Sequence, residues 1–183
     1  MKKFPSKLHV TKPNLITTFY FNRMYEKIIE IGKFNEEKTI LDFGSGLGLL
    51  KQKNLQRQNS SIIINYDVIK ELSDVEDWKS INFDTIVFCE VLYLIDPEDL
   101  KKLLNDLRII NSKLEIISVI STQSIINKVA SKLLGHPDAH GDTKTHPKLE
   151  REILLNHCNL LDNKNFFNLF NVLKLNFKTL NKL

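Results

Sequence analysis

The stretch that decides the fold is Thr39-Ile40-Leu41-Asp42-Phe43-Gly44-Ser45-Gly46-Leu47-Gly48. An apolar run ends in an acid, three glycines alternate, and Leu49-Leu50 opens a new apolar segment. This pattern reads as a buried strand that breaks into a glycine-rich turn and restarts as a helix. Glycine lets backbone amides approach a ligand closely, and a helix N-terminus adds its own unpaired N–H groups. The spacing argues against one common use of this arrangement. The dinucleotide fingerprint needs its third glycine at position 49, where this chain has Leu49.

Upstream, residues 1–13 show no periodicity and read as a loose arm, so a single domain is expected over 14–183. From Asn14 the positions Leu15, Phe19, Met24, Ile28 and Ile29 recur at helical spacing up to Gly32, a helix suited to covering one side of a ligand cleft. Tyr20 and Tyr25 lie on it, either as core aromatics or as residues that touch a ligand.

Downstream, a short helix from Leu49 to Arg57 leads to Ser61-Ile62-Ile63-Ile64-Asn65-Tyr66-Asp67, a β-branched run that reads as a second parallel strand. Asp67 stands about 20 residues beyond the turn, where a strand-end carboxylate accepts hydrogen bonds from ribose hydroxyls; a surface turn residue is the alternative. Val68 to Ser73 is so brief that the next helix and strand must be abbreviated. Phe83 to Cys89 is a buried strand, and Leu114 to Ser121 is another. Between them Asp96 and Pro97 open a helix whose buried stripe is Leu100, Leu103, Leu104 and Leu107. A helix is expected through Ile125-Ile126, Val129 and Leu133-Leu134. The irregular stretch Gly135 to Pro147 follows, then a helix from Lys148 to His157. The apolar runs Phe166 to Phe170 and Val172 to Phe177 fit a closing antiparallel hairpin.

Composition narrows the function classes. The chain has 183 residues, 42% of them hydrophobic and 26% charged, which suits one soluble domain with a real core. Its net charge of +4 comes from scattered lysines, which read as solvated helix faces rather than a nucleic-acid track. Two cysteines, Cys89 and Cys158, have no framework spacing, so a reduced, cytoplasmic setting is expected. The longest apolar run, Thr85 to Ile95, is interrupted by Glu90 and is too short to span a bilayer. The basic start Met1 to Pro5 lacks the apolar core of a signal peptide.

Four segments in order resemble the motifs of class I S-adenosylmethionine (SAM)-dependent methyltransferases of the small-molecule type, the methyltransferase type 11/12-like domains. They are Ile40 to Gly48, the acid Asp67, Asp74-Val75-Glu76-Asp77, and Phe83-Asp84-Thr85-Ile86-Val87-Phe88-Cys89-Glu90-Val91-Leu92. Each is weak alone and strong in order, and the resemblance they carry covers the chain from about Asn14 to Phe177. The resemblance implies an α/β, Rossmann-like, mostly parallel sheet with helices on both faces, an abbreviated third strand and helix, and a C-terminal antiparallel hairpin. It also implies SAM as the methyl donor, with S-adenosylhomocysteine (SAH) as product. In that reading the amides of Gly44, Ser45, Gly46 and Gly48 approach the methionine portion, and Asp42 positions its ammonium. Asp67, with Val68 beside it, holds the ribose. Asp74 accepts from the adenine amino group, the Val75 amide donates to a ring nitrogen, and the Cys89 main chain lies near the methionine amine. The Cys89 thiol reads as packing. Two departures stand out. The stretch from Asp67 to Asp74 is shorter than is usual in the family, and Asn111-Ser112-Lys113 lacks the usual proline and glycines.

The same resemblance bears on the acceptor. No Asn-Pro-Pro-Tyr loop follows Cys89, which favours a small-molecule acceptor over nucleic acid. Tyr20, Glu90 and Tyr93 are candidates for the acceptor pocket, Glu90 and Tyr93 alternatively for capping the next helix. His136 or His140 is suited to deprotonate the acceptor, since imidazole titrates near neutrality; a polar surface loop is the alternative. The set His136, His140, Asp142 and His146 matches no standard metal spacing, so no metal is expected. A monomer or homodimer is expected. An RNA- or protein-directed methyltransferase, or a non-catalytic SAM- or nucleotide-binding protein of the same fold, are the competing classes.

Overall fold

The computed structural model describes residues 15–122 and 143–179. Helix α1 (Leu15–Gly32) leads into strand β1 (Thr39–Phe43), and α2 (Leu49–Gln56) into β2 (Ile62–Tyr66). Strand β3 (Thr85–Cys89), helix α3 (Pro97–Ile110) and strand β4 (Glu115–Ser121) follow. Helix α4 (Pro147–His157), strand β5 (Cys158–Phe166) and strand β6 (Phe170–Phe177) close the described chain. The strands form one sheet of order β2-β1-β3-β4-β6-β5. The first four are parallel, and β6 runs antiparallel between β4 and β5.

Alternation along the strands divides the core in two. Ile40, Val87, Ile117 and Val172 face α1 and α2, packing on Met24, Ile28 and Leu50. Leu41, Ile86, Phe88, Ile116 and Leu173 face the other way, onto Leu100, Leu104 and Leu107 of α3 and Ile153 and Leu154 of α4. Both faces are covered, which is why the parallel strands read as continuous apolar runs.

The expected abbreviation between β2 and β3 is present. Only two one-turn 3-10 helices, Lys70–Leu72 and Trp78–Ser80, stand there. What remains of strand pairing is a single reciprocal contact at the edge of β2. Asp74 N–H donates to the Asn65 carbonyl (2.9 Å), and Asn65 N–H donates to the Asp74 carboxylate (2.7 Å). Trp78 is buried against Phe43 and Phe83, so one aromatic side chain takes the space of the missing layer.

The closing hairpin needs a correction. Phe166 to Phe170 is not its first strand but spans its turn. The Leu169 amide bonds back to the Phe166 carbonyl (2.8 Å), and Phe167 and Asn168 take φ values of 46° and 54°. Two successive left-handed residues form the primed turn whose twist matches antiparallel strands. The first strand is Cys158–Phe166, at the sheet edge, where most of its side chains meet water. An edge strand tolerates Asn, Asp and Lys, so it lacks the apolar signature of a strand.

Leu104 is fully buried and Ile109 is 83% exposed on the same helix. Leu104→Ala should cost about 2–5 kcal/mol by urea denaturation, whereas Ile109→Ala should stay within about 0.5 kcal/mol.

Candidate functional site

The chain leaves β1 in one direction to reach β2 and returns on the other side to form β3. The connections leaving the adjacent carboxyl ends of β1 and β3 therefore run to opposite sides, leaving the crevice at which open α/β sheets bind ligands. In the parallel register Phe43 lies opposite Phe88, so the glycine turn and the turn at Glu90 emerge side by side.

Gly44, Gly46 and Gly48 all adopt positive φ, at 76°, 52° and 67°. Their roles differ. A methyl group on Gly44 would lie 2.5 Å from Val91 Cγ2, so glycine is what lets the two turns pack together. One on Gly48 would lie 2.6 Å from the Asn65 side-chain nitrogen. One on Gly46 would meet nothing within 4 Å; its Cα faces open space. The turn is held by the Gly44 and Ser45 amides, which both donate to the Tyr66 carbonyl (2.7 and 3.1 Å).

The structure brings Asp42 and Asp67 together at this turn. Asp67 accepts from the amides of Gly46 (3.0 Å) and Ile69 (2.9 Å), one on each carboxylate oxygen, so it braces the loop. Two lone-pair directions remain for a ligand. Asp42 is 2% exposed, and burial together with the Asp67 charge pushes it up to about 7. Asp42 Oδ1, Ser45 Oγ and Asn65 Oδ1 are buried and lack hydrogen-bond partners among the described residues. Buried polar atoms are normally satisfied, so three such atoms around one open turn suggest a polar ligand. Asn65 was not apparent from the sequence, where it is one polar residue inside an apolar strand.

The remaining expected positions divide. Val68 follows Asp67 and is 75% exposed, presenting an apolar face beside the turn. Asp74 is not part of this cluster. Its carboxylate takes Asn65 N–H and Lys51 Nζ (2.9 Å), while the Val75 carbonyl accepts from Ser73 Oγ (2.6 Å). Cys89 packs its sulfur against Met24 (4.0 Å), and burial with the charges of Asp42 and Glu90 pushes its thiol well up, consistent with an inert packing role. Tyr20 and Glu90 do meet: the phenol donates to Glu90 Oε1 at 2.7 Å. Tyr93 accepts at its carbonyl from the amides of Lys144 and Thr145. His136 and His140 lie outside the described residues. His146 caps α4, its ring Nδ1 accepting from Lys148 N–H (3.2 Å). Among the described residues no cluster of three or more His, Cys, Asp or Glu could hold a metal, and no helix is long and apolar enough to cross a membrane.

Substitution separates the two glycine roles. Gly46→Ala should cost about 1–2 kcal/mol from its left-handed backbone alone. Gly44→Ala should cost more, and Val91→Ala should recover part of the difference in a double-mutant cycle. Equal costs for the two glycines would exclude the close packing of the turns.

The sequence matches no protein-family model and no curated protein. Solved structures match its fold. A Pyrococcus horikoshii protein, PH0226, superposes with a TM-score of 0.65 at 11% identity, over 96% of this chain and 100% of that one. The N,N-8-amino-8-demethyl-D-riboflavin dimethyltransferase RosA from Streptomyces davawensis gives 0.60 at 13%, over 94% of this chain; the chain spans 64% of RosA. Magnesium protoporphyrin IX methyltransferase (ChlM) from Synechocystis, solved with SAH bound, gives 0.53 at 13%, over 92% and 90%. The chain has the class I SAM-dependent methyltransferase fold.

Proposed function

We propose that the chain is a SAM-dependent methyltransferase acting on a small molecule, with the methyl donor seated between the ends of β1 and β3. The observation that carries this reading is the open glycine turn ringed by Asp42, Ser45 and Asn65, three buried polar groups with unpaired oxygens among the described residues. The chemistry of the donor suits them. SAM offers an ammonium and ribose hydroxyls to such acceptors, and its methyl group sits on a sulfonium, already an activated leaving group. Structures of the same fold named as methyltransferases of riboflavin and porphyrin derivatives add support for a small acceptor.

The residues then have separate tasks. Asp42, at the end of β1, holds the ammonium. Asp67 keeps the Gly46 and Ile69 amides in place while offering its remaining lone pairs to the ribose hydroxyls. Gly46 leaves room for the ligand where any side chain would intrude. Val68 provides an apolar surface for the base, and Asp74 and Val75 are the expected polar contacts on the adenine side. Tyr20, Glu90 and Tyr93, around the neighbouring turn, face the acceptor. The protein's contribution to rate is to hold acceptor and methyl in line and to exclude water. His136 and His140 are retained as candidates for removing the acceptor's proton.

Calorimetry with SAH tests this reading. The wild-type protein should bind SAH, and Asp67→Ala should weaken binding by about ten- to one-hundred-fold, as expected for lost hydrogen bonds to a charged group. The pH dependence has a definite sign. Asp42 titrates at about 7 in the free protein and must be ionised to hold an ammonium. SAH affinity should therefore fall as pH drops below 7 and rise as pH climbs through it. Asp42→Asn should flatten that profile. No binding at high micromolar SAH, together with an unchanged Asp67→Ala variant, contradicts the proposal.

A further inference from the structure

Strand β5 ends the sheet on one side and has a strand partner only in β6. The hydrogen-bonding phase shows which of its residues face outward. Thr122 N–H donates to the Leu169 carbonyl (3.0 Å), and in the antiparallel register this turns the backbone groups of Asn171 and Leu173 toward β4. Their partners on β5, Asn165 and Asn163, therefore direct their own N–H and C=O groups away from β6, to the open side. One of these groups is occupied, since Asn163 N–H donates to the Asp162 carboxylate (2.7 Å). The Asn163 carbonyl and both backbone groups of Asn165 have no backbone partner among the described residues.

Along this edge the sequence is complementary to its own reverse. It reads Leu160-Leu161-Asp162-Asn163-Lys164-Asn165-Phe166-Phe167. A two-fold axis at Asn163, running two copies antiparallel, sets Asp162 of each opposite Lys164 of the other. It also brings the Leu160-Leu161 end of one strand to the Phe166-Phe167 end of the other, the self-complementarity that a two-fold interface requires. Asn163 faces its own equivalent and, with its backbone groups turned outward, forms the hydrogen-bonded pair. Asp162 and Lys164 then fall in the flanking non-hydrogen-bonded pairs, where opposed side chains come closest. Both lie on the α1 side of the sheet, because their partners on β6 are Lys174 and Val172 and Lys164 reaches Glu30 of α1.

The two charges are available for such a contact. Asp162 is exposed and has no ion pair among the described residues. The pair that Lys164 makes with Glu30 is long (3.9 Å), and Glu30 is held more closely by Lys27 (2.7 Å). Leu160, Leu161 and Phe167 are exposed apolar residues on the same edge. An edge lysine ordinarily discourages strand pairing, but an acid two positions before it removes that barrier for one register only. The irregularity between Leu160 and Asp162 confines the regular edge to residues 162–166, so the contact is small and suits a dissociable dimer rather than an obligate one.

We propose that β5 is a self-association surface, on which two copies of this chain pair antiparallel about Asn163 through two reciprocal Asp162–Lys164 ion pairs. On pairing, Asn163 N–H exchanges the Asp162 carboxylate for the carbonyl of its equivalent, and the carboxylate turns to Lys164 of the other copy. The proposal does not depend on the methyltransferase reading, because β4 and β6 separate β5 from the crevice beside β1 and β3.

Sedimentation velocity of the full-length chain, over about a hundredfold range of concentration, reads the association by mass action. The wild-type protein should pass from monomer to dimer as concentration rises. Asp162→Lys and Lys164→Asp each set like charges opposite one another and should weaken the dimer by about tenfold or more. The double variant Asp162→Lys/Lys164→Asp should restore wild-type association, and so should an equimolar mixture of the two single variants. Asp162→Asn and Lys164→Gln serve as the readout if a charge reversal does not fold, each weakening the dimer without repulsion. A monomer at every concentration overturns the proposal. So does a dimer that the single substitutions leave intact, or one that neither the double variant nor the mixture restores.

Discussion

The close approach of two turns, Gly44 on Val91, is the constraint on which the site depends. Parallel pairing of β1 with β3 sets their carboxyl ends side by side, and the reversal of strand order opens the crevice there. The turn at Gly44 can pack on Val91 only because its Cα carries no side chain. That packing fixes the glycine turn relative to Glu90. The acids Asp42 and Asp67 and the Tyr20–Glu90 pair are thereby held at one end of the sheet. Helix α1 closes this end from one face, and the start of α4 is tied to the turn after β3 by Tyr93 and Ile95.

Electrostatics follow from that geometry. Asp42 and Glu150 are both buried, both pushed toward or above neutrality, and both keep an oxygen unpaired among the described residues. Other carboxylates pair with lysines near the surface, as Asp74 does with Lys51 and Asp106 with Lys79.

Much of this was legible in the sequence because the relevant signals are local. Alternating glycines after an apolar strand, an acid about 20 residues on, and Asp96-Pro97 before a leucine stripe each depend on a few neighbouring residues. The strand Cys158–Phe166 was not legible, since an edge strand needs little apolar surface and shows none of the expected alternation. Asp96 holds the N-cap position of α3 but makes no capping bond; its carboxylate pairs instead with Lys144, a partner 48 residues away. Glu150 was hidden for a related reason. An acid in the first turn of a helix ordinarily serves the helix dipole, and nothing nearby in sequence shows that the fold buries it. Asn65 and Glu150 become informative only once the tertiary structure reveals their unpaired oxygens.

The proposed function stands or falls on whether the glycine turn after β1, beside the end of β3, receives the methyl donor. The most direct measurement is a titration of nitrogen-15-labelled protein with SAH, following the well-separated amide signals of Gly44, Gly46 and Gly48. The account predicts that these signals shift and saturate together at a single dissociation constant, with the Gly46 amide, bonded to Asp67, among them. Saturation accompanied by shifts confined to other parts of the chain, or no shift at any SAH concentration, would contradict it.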